Sequence, residues 1–145
     1  EVGSELWTEQ VYSGNGYTEF SSYFTGDDVN IGWLVSPGIN MDTQENEFLN
    51  FKNAQHHLDS ADNTLEVFVS TDYDGSNVLT ATWVPVSANL ASMSDSWYAF
   101  VDSGLIDISN YTGTLYVGFK VTGSGTNTIM DGAYQLDDFK ILATP

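Results

Sequence analysis

"TLYVGFKV", residues 114–121, sets Leu115, Val117, Phe119 and Val121 at every second position, with Thr114, Tyr116, Gly118 and Lys120 between them. Successive side chains of an extended chain point to opposite faces, so a period of two marks a strand with one face in a core. Similar runs recur on either side: "ELWTEQVY" (5–12), "YTEFSSYF" (17–24), "NIGWLVS" (30–36), "EFLNFKN" (47–53), "TLEVFVS" (64–70), "ATWVPVS" (81–87), "WYAFVD" (97–102) and "YQLDDFKIL" (134–142). "SGNG", "TGDD", "SPGIN", "DYDGSN", "SGTN" and "MDGA" separate them, clusters of the residues that favour turns. No stretch keeps a helical period beyond about two turns. Eight or nine strands at this spacing predict an all-β fold, a two-sheet antiparallel β-sandwich of the jelly-roll type, with residues 1–145 as one domain. Leu115, Val117, Phe119 and Val121 are expected on one inner face, opposed by Leu65, Val67 and Val69.

Charge narrows the partners. The 145 residues carry 20 acidic side chains against 3 lysines (Lys52, Lys120 and Lys140) and no arginine, a formal net charge of -17 at pH 7. Affinity for nucleic acid comes largely from neutralising phosphates, so nucleic acid and anionic membrane are excluded as partners. The absence of cysteine removes disulfides, thiolate zinc sites and thiol nucleophiles. No apolar run approaches the roughly 18 residues of a membrane span, and no export signal opens the chain. Its ends, "EVGSE" and "LATP", accord with a module of a larger protein.

The succession "GWLVSPGINM", "FLNFKNA", "LEVFVSTDYDG", "ATWVPVS", "GLIDISNYTGTLYVGFKV" and "YQLDDFKIL" resembles the choice-of-anchor J and cleaved-adhesin domains of secreted and surface proteins of Bacteroidetes-type bacteria. The likeness spans roughly residues 30 to 142 and rests on the order and spacing of its motifs. It implies a jelly roll related to carbohydrate-binding modules, a bacterial secreted or cell-surface location, attachment to a catalytic domain, and structural calcium. In the family an acidic or polar residue commonly precedes the Trp of "WLVSP"; here that residue is Gly32.

Strict alternation in "YQLDDFKIL" puts Asp137 on the face of Phe139 and Ile141, and Asp138 on that of Leu136 and Lys140. One carboxylate therefore points at a core, where an ion needs a proton, a cation or a metal. Calcium suits an acid-rich chain with three lysines, because it takes six to eight oxygen ligands. The resemblance assigns a ligand first to Asp137 and then to Asp138. If the first and last strands lie side by side, Glu9, Asp27 and Asp28 join them. "DYDGSN" (72–77) has part of a calcium-loop spacing, but without the distal Glu it reads as a hairpin turn.

No nucleophile elbow, HExxH or phosphate loop is present, and no acid pair marks a glycosidase, so no enzymatic activity is expected. Aromatic residues make up 14% of the chain, and sugar faces stack on such rings while their hydroxyls bond to Asp, Asn, Gln and His. Trp33, Trp83 and Trp97, inside strand motifs, are expected in the core. The polar "NAQHHLDSADN" (53–63) carries His56 and His57, which as neighbours on a strand point to opposite sides. With Trp7, Tyr73 and Tyr98 near strand ends and Phe68 facing outward, these two histidines form the candidate ligand surface. The expected function is non-catalytic, monomeric capture of a neutral or weakly charged polysaccharide, such as an agarose-like galactan or a β-glucan. The alternative is a cell-surface adhesion or protein-interaction domain of the cleaved-adhesin type.

Overall fold

The computed structural model describes residues 1–144. Among them the strands are β1 (Thr8–Tyr12), β2 (Asn15–Ser21), β3 (Asn30–Val35), β4 (Ile39–Asn40), β5 (Glu45–His56), β6 (Thr64–Ser70), β7 (Val84–Pro85), β8 (Val101–Asp102), β9 (Ile106–Asp107), β10 (Thr114–Gly123) and β11 (Ala133–Thr144). They form two antiparallel sheets. One runs β1-β2-β11-β5-β8 with β9 also on β5, and the other β3-β10-β6-β7 with β4 also on β10. This is the expected two-sheet β-sandwich. The last strand is an interior one, hydrogen-bonded to β2 on one side and to β5 on the other.

The core lies between the sheets. Leu115, Val117, Phe119 and Val121 are all buried, as their spacing predicts. Leu65, Val67 and Val69 do not oppose them, however, because β6 pairs directly with β10 and sets Val117 beside Val69 and Val121 beside Leu65 in one sheet. Phe20, Leu49, Phe51, Tyr134 and Leu136 supply the opposing buried side chains. Phe51 and Phe119 meet edge to face across the gap, with centroids 5.0 Å apart. A Cβ on Gly32 would run into the ring of Phe20, which explains glycine at that position.

Three expectations need correction here. Residues 97–100 are not strand, and only Val101–Asp102 of "WYAFVD" pairs with β5. The segment "DYDGSN" is not a tight hairpin. Asp74 Oδ1 accepts bonds from Ser76 N, Ser76 Oγ and Asn77 N, and a 3₁₀ turn, Val78–Thr80, follows before the chain reaches β7. Strand β1 does not adjoin β11, since β2 lies between them.

The carboxylates of β11 need correction as well. Asp137 pairs with Lys52 and Lys140 with Asn50, so Asp138 and Phe139 together face one residue, Phe51, in a β-bulge. Asp138 takes the left-handed conformation, φ +50°, which Asp tolerates better than most residues. Alternation breaks at that point, leaving Phe139 41% exposed. Half-buried Asp137 accepts bonds from Asn15 Nδ2 at 3.1 Å and from the Asp138 amide at 2.8 Å, and Asp138 pairs with Lys52 at 3.3 Å. No ionised group is stranded in the core at this strand.

Candidate functional site

Two side chains on β5 shape one end of the six-stranded sheet. Asn53 and Gln55 are buried polar residues, so each must find partners, and both find them in the segment after β7. Asn53 Oδ1 accepts from Ala91 N at 2.7 Å and its Nδ2 donates to Asn89 O, while Gln55 Nε2 donates to Asp95 O at 2.8 Å. Tyr98 N then donates to Gln55 O, which fixes where the next residues run. Trp97 and Tyr98 are thereby delivered to the two histidines at the end of β5.

The histidines are not splayed apart as strand neighbours would be. His57 lies just past β5 with φ +55°, and this left-handed turn brings its ring back beside that of His56. Their Nδ1 atoms approach to 2.7 Å. His56 stacks on Tyr98 at 4.8 Å and 23°, and Tyr98 on Tyr12 at 4.1 Å and 12°. His57 stacks on Trp97 at 3.9 Å and 30°. Four rings and an indole thus run together across β1, β5 and the 97–98 segment. Trp97 is 56% exposed, so its assignment to the core is overturned.

Beneath this row lies a polar pair. The register sets Glu19 of β2 opposite Gln135 of β11. Glu19 Oε2 accepts from Gln135 Nε2 at 2.7 Å and meets His56 Nε2 at 3.2 Å. Burial pushes the Glu19 carboxyl up, but the bonds from His56 and Gln135, with the His56 charge, outweigh it and hold the group below its ordinary value. Burial, followed by the negative charge of Glu19, raises both Tyr17 and Tyr98. Their hydroxyls therefore stay protonated and available as donors. A cleft of about 710 Å³ opens beside Glu19, lined also by Ser21, Tyr23, His56, His57, Asp59 and Asp131.

Of the six residues expected at the ligand surface, His56, His57 and Tyr98 come together here. Trp7 does not: its ring lies 5.7 Å from Phe20 and packs against the core. Phe68 and Tyr73 belong to the outer face of the other sheet, in a cluster with Trp33, Trp83 and Tyr116. Trp33 and Trp83 are therefore outside the sandwich core. Their rings rest over Gly118, where a Cβ would approach them to 2.9 and 2.8 Å. Tyr12, Glu19, Gln135, Tyr23 and Trp97 were missed. For Glu19 and Gln135 a signal existed, polar residues beside the inward Phe20 and Leu136 of interior strands.

The candidate calcium ligands are dispersed. Asp27 accepts from Ser4 and Asp28 from Thr126, in the loop after β2, while Asp137 is tied to Asn15 at that strand's beginning. Seven extended residues separate the two ends, roughly 20 Å. Glu9 sits on β1 opposite Thr18. Among the described residues no three His, Asp or Glu side chains gather as a metal site. This donor set does not fit a calcium cage, and the bulge removes the reason for which calcium was invoked at Asp137.

Neither a family model nor a curated protein matches the chain. Solved structures do. A TmCBM61 module in complex with β-1,4-galactotriose is 13% identical with a TM-score of 0.51, over 92% of this chain and 74% of that one. The K1 cleaved adhesin domain of Lys-gingipain from Porphyromonas gingivalis W83 is 16% identical with a TM-score of 0.56, over 97% and 85%. The K3 domain of the same protein is 18% identical with a TM-score of 0.57, over 96% and 86%. At such identities the likeness is one of fold. No helix among the described residues is long and apolar enough to cross a membrane.

Proposed function

We propose that this domain captures a neutral or weakly charged polysaccharide, without cleaving it, in the cleft on the outer face of the six-stranded sheet. The observation that carries this reading is the stacked row of Tyr12, Tyr98, His56, His57 and Trp97 beside the bonded pair Glu19 and Gln135. The outer faces of Tyr12 and Trp97, exposed at the ends of the row, take the C–H faces of pyranoses, while carboxylates and amides at the cleft take their hydroxyls. A fold shared with a galactotriose-binding module supports the class of ligand, with agarose-like galactans or β-glucans fitting the charge of the chain. Stacking and hydroxyl bonds are little screened, so binding persists in about 0.5 M NaCl. An accessory role beside a catalytic domain of a secreted or surface-attached bacterial protein completes the reading.

Electrophoresis through gels containing single polysaccharides tests it. Retardation by a neutral glycan, weakened by Trp97→Ala and His57→Ala but not by Trp83→Ala, is the expected result. Retardation by no neutral glycan, or equal loss in all three variants, overturns it. The adhesion reading has its own observation. Tyr23, at the cleft, and Phe24, its neighbour, are 66% and 87% exposed, with Phe24 at φ +69°, a display of apolar rings suited to a protein surface. If the cleft holds no glycan, the double variant Tyr23→Ser with Phe24→Ser identifies that surface by loss of adhesion to host-protein-coated plates.

A further inference from the structure

The contact between the two histidines constrains how many protons they can hold. An ionised carboxylate only accepts, so the Glu19 contact at 3.2 Å places a proton on His56 Nε2. In neutral His56 the other nitrogen, Nδ1, is then an acceptor, and the facing Nδ1 of His57, 2.7 Å away, must be the donor. If both rings were cationic, two N–H groups would point at each other across that distance. One proton between the two nitrogens is a bond; two are a repulsion.

The pair also carries two further rings at the edge of the cleft. His57 carries Trp97 at 3.9 Å, and His56 carries Tyr98 at 4.8 Å, so a shift of either imidazole moves a stacked partner. Glu19 from β2 bonds to His56, Tyr98 stacks on it, and Glu5, Tyr23, Asp59 and Asp131 line the cleft around the pair. None of these groups is cationic, so nothing near the pair opposes a second proton except the pair itself. Histidine is the side chain whose ordinary titration falls between about pH 5 and 8.

We propose that His56 and His57 gate the ligand platform: the first proton added to the pair goes to the outer Nε2 of His57 and keeps the shared bond, while the second, which makes both rings cationic, drives them apart, displaces Trp97 and releases the glycan at acid pH. The gate rests on the glycan reading of the cleft and adds its regulation. Breaking one hydrogen bond and tilting one stacked ring corresponds to about a tenfold weaker binding at pH 5 than at pH 8. Sugar hydroxyls do not titrate in that range, which assigns the change to the protein.

Binding of a retarding polysaccharide is measured from pH 8 to 5 for the wild-type domain and for His57→Asn, which keeps an amide donor, tolerates the positive φ and cannot titrate. The expected result is about a tenfold loss for wild type and less than about twofold for His57→Asn, whatever the variant's absolute affinity. A flat wild-type profile, or an equally steep one in the variant, overturns the gate. Imidazole ¹⁵N spectra, recorded without ligand, separate this failure from that of the glycan reading. A proton on His56 Nε2 at pH 8, followed by two successive protonations with movement of the Trp97 indole resonance, supports the gate even if no glycan binds. Simultaneous ordinary titration of the two rings with Trp97 unmoved overturns it even if one does.

Discussion

Glu19 is half-buried against His56 yet ionised, and the bonds it accepts decide the balance. Its folded value lies below its unfolded one. It therefore contributes stability above the unfolded carboxyl range, near pH 4.3, and loses that contribution as pH falls through the folded value. Glu19→Gln is expected to cost about 1–2 kcal/mol at pH 7 and to draw level with wild type near pH 3, as urea denaturation at both pH values would show. At the exposed Trp97, replacement by Ala removes one stacking contact and costs under about 1 kcal/mol. Phe20→Ala, in the core, costs about 3–5 kcal/mol, and thermal melts distinguish the two. The misplacement of Trp97 has a simple origin: "WYAFVD" alternates like a strand, yet residues 97–100 form none and only Val101–Asp102 pairs with β5. For His57 the missing information was a single backbone angle.

Among the elements, the runs with uninterrupted alternation were legible, because each position of β10 between Leu115 and Val121 has one buried and one outward alternative. Strand β11 was read correctly as a strand and wrongly in phase after Asp137. Consecutive Asp residues before an aromatic mark such a bulge only once the pairing partner is known, since Phe51 must be counted against both Asp138 and Phe139. The left-handed angle at Asp138 predicts opposite outcomes for two substitutions. Asp138→Val adds about 1–2 kcal/mol of strain and loses a surface ion pair worth at most about 1 kcal/mol. Asp138→Gly loses the same pair but relieves the backbone, and melts within a few degrees of wild type. On β10, Gly118→Ala pushes against the indoles of Trp33 and Trp83 and is expected to cost about 1–3 kcal/mol in the same assay.

For the whole molecule, the charge of -17 dominates the response to solvent. Self-repulsion among carboxylates weakens the compact state, so raising NaCl from low to about 0.5 M is expected to lift the melting temperature while leaving glycan binding unchanged. With its acids dispersed, the domain is expected to melt alike in EDTA and in calcium; a rise of several degrees with calcium would reveal a site built from backbone carbonyls. Fold class was readable from local patterning, whereas the cleft joins residues 19, 23, 56, 59 and 131, whose proximity depends on strand order. That order also sets a sequence of events in time. Strand β11 lies between β2 and β5, so the sheet has a gap at its middle until residues 133–144 are in place. Until that moment Glu19 has no Gln135 beside it and no path to His56. The cleft is thus completed only when that pairing closes, and refolding from denaturant should recover glycan binding only in the slow phase, milliseconds to seconds, of such long-range pairings.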